Sequence, residues 1–145
     1  MEIQFFNADS TYVLRGKTAL KTYVSTKVKK ETKKDIVLTY VFCSDKYLLD
    51  INKRFLQHDY YTDIITFPLS ESKEVIEGEI YISIDRVRDN AKSLGVPFME
   101  ELHRVLFHGV LHLIGYKDKT KAQEAEMRKM EDRWLKGFKV FTGKR

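Results

Sequence analysis

"HGVLHLIGYKD", residues 108–118, sets two histidines four positions apart inside an apolar run, follows them with a glycine and ends on an aspartate. At about 100° per residue, His112 lies only about 40° round a helix from His108 and one turn along it, so both imidazoles project from one face. That separation lets two ring nitrogens approach one metal ion. Gly115 permits the left-handed backbone on which helices commonly end, and the chain can then turn back so that Asp118 approaches the same ion from outside the helix. Two neutral nitrogens and one carboxylate oxygen suit zinc and leave a fourth position open, which implies catalysis rather than scaffolding. A lone pair of histidines at this spacing is more often buried and satisfied by hydrogen bonds than metal-bound. The added glycine and aspartate change the balance, because HxxxHxxGxxD has the spacing of the long zinc-protease motif HExxHxxGxxH with an acidic third ligand. His108, His112 and Asp118 are therefore the expected metal ligands.

The remaining histidines do not fit the set. His103 falls about 160° from the centre of the His108 and His112 pair and reads as structural or surface, and His58 has no metal-ligand spacing. In HExxH the glutamate beside the first histidine activates water; here that place is Gly109, which cannot take a proton. Peptide hydrolysis by that route is disfavoured. A metal that acidifies water and polarises a phosphoryl oxygen would instead serve phosphodiester cleavage.

Outward from this helix, which Pro97 suits at its first turn, the chain alternates strand and helix patterns. "IQFFN" reads as a short strand, and "LRGKTALKTYVSTKVKKE" as a helix with Leu20, Tyr23, Val24 and Val28 on one face. "DIVLTYVFC" is a central strand, and Ser44 and Asp45 can cap a helix whose Tyr47, Leu48, Ile51, Phe55 and Leu56 repeat the spacing. "TDIITFPLS" is a strand stopped by Pro68, and "ESKEVIE" is a hairpin-like connection to "GEIYISI". Asp85 can cap a helix ended by Gly95, and "KAQEAEMRKMEDRWLKGF" is a last amphipathic helix with Ala125, Met130, Trp134 and Leu135 as core contacts. Four strands and about five helices in mixed order predict an α+β sandwich, and residues 1–145 are expected to form a single domain.

The totals bound the class. The 145 residues are 43% hydrophobic, ample for one self-sufficient core. Nothing approaches the roughly 18 uninterrupted apolar residues of a membrane span, and the start "MEIQFFNADS" lacks a signal peptide's basic-then-apolar order. Neither membrane insertion nor export is expected. The single cysteine, Cys43, in the apolar setting "YVFCS", reads as a small buried side chain and fits a reducing cytoplasm. A net charge of +5 favours polyanions, nucleic acid first, although lysine-rich solvated surfaces are common; the run "KVKKETKK" reads as a helix end and turn.

The stretch at 108–118 resembles the signature HGxLHLxGYDH of the YbeY rRNA-maturation endoribonucleases. "INKRFLQHDYYTDIITFP", residues 51–68, resembles that family's LNxxYRxxxxxTDVLSFP, and "GEIYIS", residues 78–83, resembles its GDIxIS strand. The resemblance implies a zincin-like, metal-dependent hydrolase fold and one bound zinc. It also implies a single-strand-specific endoribonuclease acting in small-subunit 16S rRNA 3′-end maturation and ribosome quality control, in the cytoplasm. Its implied partners are single-stranded rRNA and the small ribosomal subunit, with delivery by an assembly GTPase or a ribosomal protein. The first two ligands fall on His108 and His112. The usual third histidine is Asp118 here, and the aspartate before it is Lys117, whose cation could offset the added negative charge. The arginine associated with RNA handling falls on Leu56. Two readings stand there: His58, near the helix end, substitutes for it, or Leu56 packs the helix and nothing does. Arg54 would face about 200° away. No catalytic side chain is assigned, and Thr62 and Asp63, the family's TD pair, read as the start of a strand.

Two other classes remain open. The chain could be a ribosome-assembly binding protein with a structural metal and little nuclease activity. It could also hydrolyse another substrate such as a peptide, which would need a glutamate, Glu101 or Glu126, near the metal; Glu101 lies two turns from His108, too far for direct reach.

Overall fold

The run Asp35–Cys43 alternates buried and half-buried residues, and its inward set, Ile36, Leu38, Tyr40 and Phe42, defines the main core face of the sheet. In the computed structural model, which describes residues 2–143, this strand is β2. The order is β1 (Glu2–Asn7), α1 (Lys17–Thr32), β2, α2 (Asp45–Leu56), β3 (Ile64–Glu71), β4 (Val75–Ser83), α3 (Ile84–Leu94), α4 (Phe98–Leu113) and α5 (Lys121–Phe141). The strands form one sheet in the order β1-β2-β4-β3, with β1, β2 and β4 parallel and β3 antiparallel to β4. The expected α+β class, with a four-stranded mixed sheet and five helices, is what the chain adopts.

Helices α1, α4 and α5 pack with one face of the sheet around Trp134, Phe107, Tyr23 and the isoleucines of β4. The other face carries a smaller cluster in which Leu48 and Ile51 of α2 cover Cys43 and Ile65. As expected, Cys43 is fully buried, and burial together with the charges of Asp9, Asp85 and Asp45 pushes its thiol up to about 12.

Several local expectations are corrected. Pro68 does not stop β3, which continues to Glu71. β3 is an edge strand, and a register shift between Pro68 and Ser70 absorbs the missing N–H. Ser70 and Glu71 thereby pair with Glu77 and Ile76, and three residues separate the two strands. Ser83 rather than Asp85 caps α3, its hydroxyl accepting from the Arg86 amide at 3.1 Å. Ala125 is exposed, the buried face of α5 being Met127, Met130, Glu131, Trp134, Leu135 and Phe138. On α2, Leu48 and Ile51 are buried while Tyr47, Phe55 and Leu56 stay exposed.

The seat of α4 positions everything that follows. A Cβ on Gly109 would lie 2.6 Å from Ile80 Cδ1 and 3.1 Å from Ile64 Cδ1, and a Cβ on Gly78 would lie 2.7 Å from both terminal methyls of Leu113. Each element thus offers a glycine to the other's side chain, and the helix lies closer to β4 than two side-chain layers would allow. Gly109 stands where a zinc protease has its glutamate because that position faces the sheet. Gly109→Ala should gain up to about 1 kcal/mol of helix propensity yet lose about 1–3 kcal/mol to overpacking against the buried Ile80, a net loss. Gly109→Glu should cost about 3 kcal/mol or more, since it buries a carboxylate against isoleucine. Urea unfolding checks both, and a variant as stable as the parent would contradict the packing account.

Candidate metal centre

Along α4 the residues Glu101, Arg104, Val105, His108 and His112 recur at helical spacing and line one cavity. Its other walls come from the α2–β3 connection, β3 and α5, and it measures about 600 Å³. The helix ends as the sequence predicts. Gly115 has φ 113°, its N–H donates to His112 O at 3.1 Å, and the Tyr116 N–H donates to Leu111 O at 3.0 Å. These paired bonds close the helix end and reverse the chain. Thr120 then caps α5 in a reciprocal capping box with Gln123. The short turn between the two helices carries Asp118.

Asp118 Oδ2 lies 3.1 Å from His112 Nε2 and 3.3 Å from His108 Nε2, and one donor atom from each of the three residues lies within 4.8 Å of the others. Tetrahedral bonds of about 2.0–2.1 Å separate neighbouring ligand atoms by about 3.3 Å, which the two distances from Asp118 match. The three predicted residues are together, and they could hold a metal ion.

Sequence reasoning missed the group behind them. Glu131 of α5 is 5% exposed, and a carboxylate can only accept, so His108 Nδ1 carries the proton and donates to Glu131 Oε2 at 2.5 Å. This fixes the tautomer that leaves Nε2 free to face Asp118. Arg104 balances the buried charge, reaching Glu131 at 3.2 Å, Asp132 at 2.8 Å and Glu101 at 3.8 Å. Burial opposes protonation of His108, but the bond and charge of Glu131, with Asp118 and Asp63, outweigh it and raise its pKa. The signal was present in α5: Glu131 falls on the same helical face as Met127, Trp134 and Leu135, where an unpaired charge does not belong.

Two further carboxyl groups face the cavity. Asp63 accepts from Asn90 Nδ2 at 3.1 Å, and burial raises its pKa despite the pull of His108. Burial likewise raises that of Glu101 against the opposing charge of Arg104. Asp63 immediately precedes β3, its carbonyl accepting the Ser83 N–H at 2.9 Å as the start of a strand should, while its side chain faces the cavity.

The other candidates separate. His58 lines the cavity, stacked on Tyr60 with centroids 5.0 Å apart, and Arg54 points elsewhere, paired with Asp50. Leu56 does not pack the helix; it is 40% exposed and lines the cavity. His103 is structural, stacked on Phe107 and edge-on to Phe138. Glu126 and Lys117 line a separate depression beside Glu31 and Tyr116, so neither supplies a charge to the cavity wall; Arg104 and Arg128 are the cations there.

Comparison with known proteins places this geometry. The family model described as Endoribonuclease YbeY matches residues 5–139. An Endoribonuclease YbeY of Cytophaga hutchinsonii is 55% identical over 90% of this chain and 91% of its own length. One of Flavobacterium psychrophilum is 49% identical over 93% of this chain and 96% of its own. The solution structure of TM1509 from Thermotoga maritima superposes with a TM-score of 0.62 at 26% identity, covering 95% of this chain and 89% of that one. A family match across nearly the whole chain, with relatives near half identity, establishes that this chain belongs to the YbeY endoribonuclease family.

Proposed function

We propose that this chain is a zinc-dependent endoribonuclease specific for single-stranded RNA, in which His108, His112 and Asp118 hold the metal. Its role would be 16S rRNA 3′-end maturation and ribosome quality control in the cytoplasm, with residues 1–145 acting as one domain. The small ribosomal subunit supplies the substrate, and an assembly GTPase or a ribosomal protein delivers it. The observation that carries this reading is the convergence of three donor atoms within 4.8 Å of one another inside an open cavity, with Asp118 at a tetrahedral separation from each imidazole. Among the described residues no helix is long and apolar enough to cross a membrane.

His108, His112 and Asp118 would hold the zinc, which when bound would supply Lewis-acid polarisation of a phosphoryl oxygen and a more acidic water. The chain's own residues do the rest. Glu131 orients His108 through Nδ1, Arg104 neutralises Glu131, and the exposed Arg128 offers a cation to phosphate. With Gly109 unable to act as a base, the Asp63 carboxyl group, raised by burial and facing the cavity, is the group suited to taking and returning a proton.

Leu56, where the family's arginine is expected, favours a second reading: an assembly protein with a structural metal and little nuclease activity. One comparison separates the two. On the enzymatic reading, purified chain carries one zinc and cuts single-stranded rRNA precursor, and His112→Ala keeps its fold while losing cleavage by on the order of a thousandfold. On the structural reading, His112→Ala melts at a sharply lower temperature, and the parent cuts no better than the variant.

Glu131 gives a second test. Glu131→Gln should weaken zinc binding by about 10–100-fold in competition with a chromophoric chelator, as loss of an orienting carboxylate does. In metal-free protein the raised pKa of His108 contributes stability that is present below its unfolded value of about 6.5 and is lost as pH rises through the folded value. The stability gap between parent and Glu131→Gln should therefore narrow as pH rises above about 6.5 and through the raised folded value. A constant gap would mean that the carboxylate does not hold the imidazole.

A further inference from the structure

The end of α2 and the segment after it carry more exposed apolar and aromatic surface than their length predicts. Phe55 is 68% exposed, Tyr60 and Tyr61 are 55% exposed each, and Leu56 is 40% exposed. Hydrophobic burial does not explain these rings, and they are not loosely held. Buried Asn52 donates Nδ2 to the Tyr60 carbonyl at 2.9 Å and accepts the His58 N–H on its own carbonyl at 3.1 Å, which clamps the loop at both levels. The Tyr60 and His58 rings stack at 5.0 Å and 18°, tied by a 2.9 Å bond between the Tyr60 hydroxyl and His58 Nδ1. Arg86, anchored to Asp45, lies over the Tyr61 ring at 5.2 Å. One side of each tyrosine is thus engaged by the protein, while more than half of each residue remains open to solvent.

Position gives these rings a purpose. Leu56, His58 and Tyr60 line the same cavity as His108, His112 and Asp118, so the aromatic wall is continuous with the candidate metal centre. The facing walls hold the metal-ligating set and Arg128, groups that take phosphate. A polymer that alternates anionic phosphates with flat apolar bases matches such a cleft. Only an unpaired base can offer its face, because bases in a duplex are already stacked on both sides.

We propose that the His58–Tyr60 stack is a nucleobase-stacking subsite that seats one unpaired base of single-stranded RNA beside the phosphate at the metal centre. The subsite rests on the nuclease reading above and adds the source of its strand preference. Leu56 contributes apolar surface to the same wall. Base stacking is sequence-tolerant, since every base has a π-face, so the subsite selects strandedness rather than sequence.

The test uses zinc-loaded full-length protein and a short fluorescein-labelled 2′-O-methyl oligoadenylate, followed by anisotropy. Tyr60→Phe should bind within about twofold of the parent, and Tyr60→Leu, of similar bulk but without a π-face, should bind about tenfold or more weakly. Affinity for the same sequence in duplex form should not change between the two variants. Zinc content and melting temperature should match the parent in both, as expected for an exposed side chain. Equal affinity of the Phe and Leu variants for the single strand overturns the subsite while leaving the nuclease reading intact. If the parent itself binds no single strand, the nuclease reading fails and the subsite fails with it.

Discussion

Everything in the site depends on how tightly α4 is seated on β4. Gly109 lets Ile80 into the helix surface and Gly78 lets Leu113 into the strand surface, so the contact is locked in both directions. A helix held this closely cannot rotate without opening the core, and its angular setting is therefore fixed. With Gly109 against the sheet, the neighbouring His108 and, one turn on, His112 face the space between α5 and the β3 edge. The same contact that packs the fold aims the imidazoles.

From that seat the site is assembled by two returns of the chain. The helix end at Gly115 brings Asp118 back over His108 and His112, and α5 then runs back along α4 to set Glu131 behind His108. Glu131 is costly to bury, and Arg104 offsets that cost. The result is a layered charge arrangement of carboxylate, imidazole, carboxylate, with Arg104 and Arg128 at one side. Asp118 adds a negative charge that a third imidazole would not, and it tempers the Lewis acidity of any cation held there. The cations of the cavity wall come from α4 and α5 and pair with Glu131. Lys117, adjacent in sequence, faces the separate depression instead.

The parts that were legible from sequence are those whose geometry is local. Helical spacing aligned His108 with His112, the glycine at 115 permitted the turn, and the returning carboxylate followed from both. The strand and helix patterns of β2, α1 and α4 were equally readable, because period and burial agree along them. What escaped was set by tertiary context. Pro68 continues a strand because that strand is an edge, which no local pattern announces. Leu56 continues an apolar helical spacing yet faces a cavity, since only Leu48 and Ile51 of that stripe are buried against the sheet. Asp63 and Glu131 join the site through α3 and α5 contacts far away in sequence. Glu131 alone left a trace, as a charge on the buried face of an amphipathic helix.

The central claim is one cation held by two imidazole Nε2 atoms and one carboxylate oxygen, with a remaining position open to solvent. X-ray absorption at the zinc edge of the purified, zinc-loaded chain tests it directly. The account predicts four light-atom scatterers at about 2.0–2.1 Å, with the outer-shell pattern of two imidazoles. It also predicts loss of one imidazole contribution in His108→Ala. A spectrum showing one imidazole or none, or a spectrum unchanged in that variant, would contradict it.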